Sequence, residues 1–322
     1  MSQPLKHGQL LGGTFRVGRP FAEGGYAVVF AAERVSDGLP LVIKALKEDA
    51  SQADPVAVQR FIREAEVASK LVHPNIVRTF SIGQTRDGVL YMVMERLEGK
   101  PLVKLMYKRP LGLAVTKSVL EQVLTGLESA HAQGVVHRDI KPSNVFVCER
   151  QRHDDPHIGV CKLLDFGFVK LLPHSEVTPS HGFERSEQPL TVVGQRVGTP
   201  GYMAPEMLLK GVVTVKTDLY SLGVMAYEML SAKLAFSGTP LERARQQMLG
   251  EPEPLPETLR KLAISQFIER LMAKNPEQRP ASARAALDEL QGLDSGAIVV
   301  ERPSGLSAIR KKASGFFTRR SS

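Results

Sequence analysis

The densest chemistry in this chain lies between His137 and Asn144, where the order is His-Arg-Asp-Ile-Lys-Pro-Ser-Asn. Asp139 is a carboxylate that can accept a hydroxyl proton, Lys141 an ammonium that can neutralise a phosphate, and Asn144 an amide whose oxygen suits a hard divalent cation. Farther on, Asp165-Phe166-Gly167 follows the strand-like run Val160–Leu164, which would end in a second oxygen ligand. Together these groups suit phosphoryl transfer, a reaction in which positioning and charge neutralisation carry most of the catalysis.

Two kinds of element must hold them. The first hundred residues are strand-like, with runs at Phe15–Val17, Ala27–Ala32, Leu39–Leu46 and Leu90–Met94 separated by Asp- and Gly-containing turns. One helical segment, Asp54–Lys70, interrupts them. After Gly99 the spacing turns helical, as in Val115, Val119, Leu120, Val123, Leu124 and Leu127. The stretch Asp218–Leu230 is apolar nearly all round, which predicts a helix buried on every side, capped at its start by Thr217 or Asp218. Residues 172–198 are polar and non-periodic, a loop of functional length.

At this point the chain resembles a eukaryotic-type serine/threonine protein kinase of the bacterial branch. His137-Arg138-Asp139 with Lys141 and Asn144, then Asp165-Phe166-Gly167, then Ala204-Pro205-Glu206 follow that family's order. The resemblance implies an α+β, bilobal protein-kinase fold: a small antiparallel β lobe with one C-helix over residues 14–97, and a larger, mainly α-helical lobe over 98–292. An N-terminal extension (1–13) and a flexible basic tail (293–322) would flank them. Residue by residue, Lys44 matches the lysine on the α- and β-phosphates of ATP, and Glu64 the C-helix glutamate that pairs with it. Met94 resembles the gatekeeper, and Glu95 to Leu97 the hinge for adenine. Asn144 and Asp165 would hold Mg²⁺, or Mn²⁺, and Thr199 would hydrogen-bond Asp139 and Lys141. Asp218 resembles the buried helix-cap aspartate, and Arg279 the partner of Glu206.

The nucleotide loop departs from pattern. The family's Gly-x-Gly-x-x-Gly-x-Val runs here from Ala22 through Glu23, Gly24, Gly25, Tyr26 and Ala27 to Val29, with Phe21 before it, so the first and third glycines are alanines. Weakened rather than lost nucleotide binding is expected, and the alternative reading is a pseudokinase scaffold. Lys141 and the Gly198-Thr199-Pro200 stretch point to Ser/Thr substrates. Arg138 implies an activation loop ordered by phosphate, with Thr191 the first candidate and Ser186 the second.

Composition bounds the rest. With 43% hydrophobic and 24% charged residues the chain is an ordinary globular sequence, and no apolar run approaches the ~20 residues of a membrane span. The start has no apolar export-signal core, so a cytoplasmic protein is expected, with its 2 cysteines free. The net charge of +8 suggests nucleic acid until it is located. Six basic residues and no acid lie in 302–322, leaving +2 on the body, so no nucleic-acid partner is expected. That tail could dock weakly on a membrane surface or a partner. Cys148, His153, His157 and Cys161 have metal-ligand types, but an antiparallel hairpin explains them more simply.

Overall fold

Alternating apolar residues in the first part of the chain build one antiparallel sheet. The computed structural model describes residues 3–47, 55–107, 109–151, 155–166, 170–171 and 200–293. It opens with β1 (Leu10–Leu11), β2 (Phe15–Glu23), β3 (Ala27–Arg34) and β4 (Pro40–Leu46), then α1 (Pro55–Lys70), β5 (Thr79–Gln84) and β6 (Leu90–Glu95). The sheet order is β1-β2-β3-β4-β6-β5. The two-residue period of the pleat sorts β4 between its faces. Leu41, Ile43 and Ala45 enter a core with Val17, Phe30 and Val93, while Val42, Lys44 and Leu46 line the cleft. That alternation is what aims Lys44 at the site.

Residues 3–13 pack onto the sheet lobe: Leu5 and Leu11, 1% and 3% exposed, are part of the same sheet core, and β1 pairs with β2. Two apolar residues before Gly12-Gly13 give too short an alternation to read as a strand. Strand β5 also escaped the sequence pattern, because Phe80 and Ile82 face outward and Thr79 and Ser81 inward.

The second part begins with β7 (Gly99–Pro101), α2 (Leu102–Leu105), α3 (Leu113–His131) and β8 (Val135–Val136). A 3-10 turn at Pro142–Asn144 leads into β9 (Val145–Cys148), β10 (Cys161–Leu163) and β11 (Lys170–Leu171). Then come α4 (Pro205–Lys210), α5 (Val215–Ser231), α6 (Pro240–Leu249), α7 (Glu257–Arg260), α8 (Ala263–Leu271) and α9 (Ala283–Gly292). Helix α5 is the central post, buried at every residue from Thr217 to Leu230. Its start differs from expectation. Thr214 is the residue preceding the first turn, and the Thr217 hydroxyl accepts its N–H at 3.0 Å, so neither Thr217 nor Asp218 is the cap. Asp218 is occupied elsewhere.

A seam joins the two parts. Val77 N–H donates to Leu163 O at 2.9 Å, Leu163 N–H to Asn75 O at 2.8 Å, and the Asn75 amide to Cys161 O at 2.9 Å. Strand β10, which delivers Asp165, is thereby registered against the sheet lobe. Among the described residues no helix is long and apolar enough to cross a membrane.

Candidate active site

Lys44, centred in β4 opposite Val29 and Met92, is the meeting point of both lobes. Its Nζ donates to Glu64 Oε1 on α1 at 2.6 Å and to Asp165 Oδ1 beyond β10 at 2.7 Å. Burial works against the ammonium, but the Asp165 and Glu64 carboxylates outweigh it and hold Lys44 above its ordinary value. Glu64 is pushed up by burial despite Lys44. The Lys44 charge holds Asp165 down against burial, although about half of that side chain (52%) opens to solvent.

The groups of the loop from His137 to Asn144 converge just below. Lys141 Nζ lies 2.7 Å from Asp139 Oδ2, and the Asn144 amide donates to Asp139 O and Oδ2, both at 2.9 Å. Asn144 Oδ1 accepts only a long contact from the Ser143 hydroxyl, at 3.5 Å. Leu164 N–H donates to Asn144 O at 2.9 Å, which places Asp165 beside this loop.

Asp218 holds the loop in shape from beneath. Its Oδ2 accepts from His137 N–H at 2.9 Å and lies 2.8 Å from His131 Nε2, and its Oδ1 accepts from Arg138 N–H at 2.8 Å. Burial opposes this anion, but the His131 contact and the amides keep it below its usual value. It therefore caps the catalytic loop rather than its own helix. His137 Nε2 is 2.9 Å from Leu164 O, and its ring lies 4.6 Å from that of Phe166. Arg138 and Asp165 both adopt left-handed backbone, at φ 67° and 53°.

A cavity of about 770 Å³ spans these groups. Phe21, Gly24, Gly25, Val29, Lys44, Glu64, Met94, Glu95, Leu97, Asp139, Lys141, Asn144 and Asp165 all line it, as their motif positions suggested. Ala22 and Glu23 do not: Ala22 faces solvent, and Glu23 turns to Lys47 at 2.5 Å. Ala27 lines it instead. Gly24 N–H closes the β2–β3 hairpin on Ala27 O at 2.9 Å, and neither Gly24 nor Gly25 uses left-handed backbone. The alanines therefore stand on strand backbone that any residue adopts.

Some features lay beyond sequence reasoning. The Glu95 carboxylate accepts from Arg78 N–H at 2.8 Å and from Lys162 Nζ at 2.7 Å, tying the segment between the lobes to β10. Apart from the charge of Glu95 itself, no local pattern signals this. Farther away, Arg279 makes a fork on Glu206, at 2.8 and 2.9 Å, in a buried pair. The Arg138 Nε is buried with no partner among the described residues. Burial and then neighbouring Arg63 lower its value to about 10, against the pull of Asp218. Thr191, Ser186 and Thr199 lie outside the described residues, as does the tail beyond Leu293. Cys148 and Cys161 are thiols on β9 and β10, where Cys161 faces Val147; burial pushes the Cys161 thiol up to about 12.

Comparison with known proteins matches this geometry. A family model described as "Protein kinase domain" matches residues 15–290. Serine/threonine-protein kinase pkn3 of Myxococcus xanthus is 34% identical over 293 residues, covering 89% of this chain and 51% of its own length. Pkn1 of the same organism is 36% identical over 306 residues, with 93% and 41% covered. PknA of Mycobacterium tuberculosis is 32% identical over 295 residues, with 90% and 63% covered. The chain thus spans about half the length of the curated relatives it matches.

Proposed function

Because this chain belongs to the protein kinase family and has its bilobal fold, we propose that it transfers the γ-phosphoryl group of ATP to a serine or threonine hydroxyl of a protein. The observation that carries this reading is the convergence of Lys44, Glu64 and Asp165 with Asp139, Lys141 and Asn144 on one cavity. The backbone at Glu95 to Leu97 meets the adenine edge, under Phe21, Val29 and Met94. Lys44, fixed by Glu64, takes the non-transferred phosphates. Asp139 orients the acceptor hydroxyl and receives its proton as the bond to phosphorus forms, while Lys141 neutralises the transferring phosphate. Lys141 is held by Asp139 for that purpose.

A family of this kind uses a divalent cation, and the donor set fits one. Asn144 Oδ1, held only by a long 3.5 Å contact from the Ser143 hydroxyl, and the open carboxylate oxygen of Asp165 are hard oxygen ligands suited to Mg²⁺ or Mn²⁺. When bound, the ion neutralises phosphate charge.

Regulation follows from Arg138, a half-buried residue whose Nε is buried without a partner among the described residues and which has a second cation, Arg63, nearby. A phosphate on Thr191, or on Ser186, would supply the missing anion. The scaffold alternative drew only on Ala22 and Ala27, and their strand backbone gives it no support. Incubation with γ-labelled ATP tests the whole: wild type labels protein, Lys44→Met does not, and equal labelling by both would overturn the reading. Mass spectrometry of the ATP-treated chain should find phosphate between Phe168 and Val197.

A further inference from the structure

We propose that the acceptor protein offers acidic residues to a basic strip formed by Arg96, Lys100, Lys104 and Arg109 beside the catalytic loop; this rests on the kinase reading above. Between residues 96 and 109 the sequence has five basic side chains, one of them Lys108 outside the described residues, against the single acid Glu98. Outside its tail the chain carries only +2, so this imbalance is local.

The four described cations are exposed. None enters any of the ion pairs formed among the described residues. Elsewhere the exposed cations Arg284 and Lys233 do find carboxylates, at 3.0 and 3.7 Å. A concentrated, unneutralised strip raises the local concentration of anions.

Its location selects the anion. Arg96 lines the mouth of the nucleotide cavity. Lys100 sits in β7 opposite Val147 of β9, the strand that leaves Asn144 directly. Helix α2, carrying Lys104, packs on the 3-10 turn Pro142–Asn144, next to Lys141. Leu102 is fully buried, so the strip stands on a fixed base while Lys100 and Lys104 face out. A polypeptide that brings its hydroxyl to Asp139 passes this edge. Four cations over one short helix and its flanks match a few carboxylates on a peptide rather than an extended phosphate backbone.

The test uses the full chain, ATP and three acceptor peptides that share one phosphorylatable residue and differ in flanks of Glu, Gln or Lys. At low salt the Glu-flanked peptide is expected to have a KM about fivefold or more below the Gln-flanked one, and the gap should shrink as salt screens exposed charges. Lys100→Glu with Lys104→Glu should reverse the order with KM for ATP unchanged, since neither residue lines the cavity. The milder Lys100→Gln with Lys104→Gln should abolish the preference and covers loss of folding in the first variant. Equal KM for all three peptides overturns the inference and leaves the kinase reading standing. Failure to label any peptide, or the chain itself, overturns both. Tighter competition by an oligonucleotide than by the Glu peptide would assign the strip to nucleic acid and overturn the proposal.

Discussion

Asp139 is constrained by Lys141 and by two bonds from the Asn144 amide, so its carboxylate is oriented before any substrate arrives. Asp139→Asn keeps the shape but removes the proton acceptor. We expect kcat to fall about a thousandfold, with ATP affinity by fluorescence titration changed little. A second residue gives a pH signature. Tyr202 donates to Glu228 Oε2 at 2.6 Å, and burial pushes Glu228 up to about 7. The folded state then holds a proton that the unfolded chain releases near the ordinary glutamate value of 4.5. Stability from this group is therefore full below that value and is lost as pH rises to about 7, by up to about 3 kcal/mol. Urea unfolding at pH 5 and 7 should show that slope flattened in Glu228→Gln. Lys44, Glu64, Asp139, Asn144 and Asp165 were legible because their chemistry demands particular residue types at particular spacings. Glu228 lies in the helix expected to be buried on every side, but its pairing with Tyr202 was not legible, since that partner comes from a separate segment.

At the scale of elements, the least legible feature was what α5 does for the catalytic loop. An aspartate near a helix start reads as a cap, yet Asp218 turns its carboxylate away to His131 and to the amides of His137 and Arg138. Asp218→Ala would leave two buried amides unpaired. A loss of about 3 kcal/mol in unfolding free energy is expected, together with loss of transfer. Another support assembles from four separate segments. The Gln247 amide on α6 donates to Gly201 O and accepts from the Tyr220 hydroxyl, while Lys274 donates to Gln247 O at 2.9 Å. Gln247→Met keeps the volume and removes the bond to Gly201. The KM for acceptor peptide should rise severalfold with KM for ATP unchanged. No periodicity in α6 announces this role, because Gln247 is a polar residue on a buried face.

For the molecule as a whole, the bilobal plan was legible from the change of period near Gly99, whereas the margins were not. Leu5 and Leu11 close the far end of the sheet core, so Leu5→Ala should lower unfolding free energy by about 3 kcal/mol in denaturant titrations. Deleting residues 1–11 should cost more. The lobes meet through Lys44, through the Asn75–Leu163 seam and through Glu95–Lys162, and each contact bears on the strand that carries Asp165. Arg138 has a consequence of another kind. Left-handed backbone costs a non-glycine residue about 1–2 kcal/mol, and its Nε is buried without a partner among the described residues. Glycine at this position would relieve both. A variant library ranked by melting temperature alone would therefore promote Arg138→Gly, which has no guanidinium for a phosphorylated loop. Anyone hardening this chain by directed evolution would have to select on turnover, because here heat resistance and the proposed responsiveness pull in opposite directions.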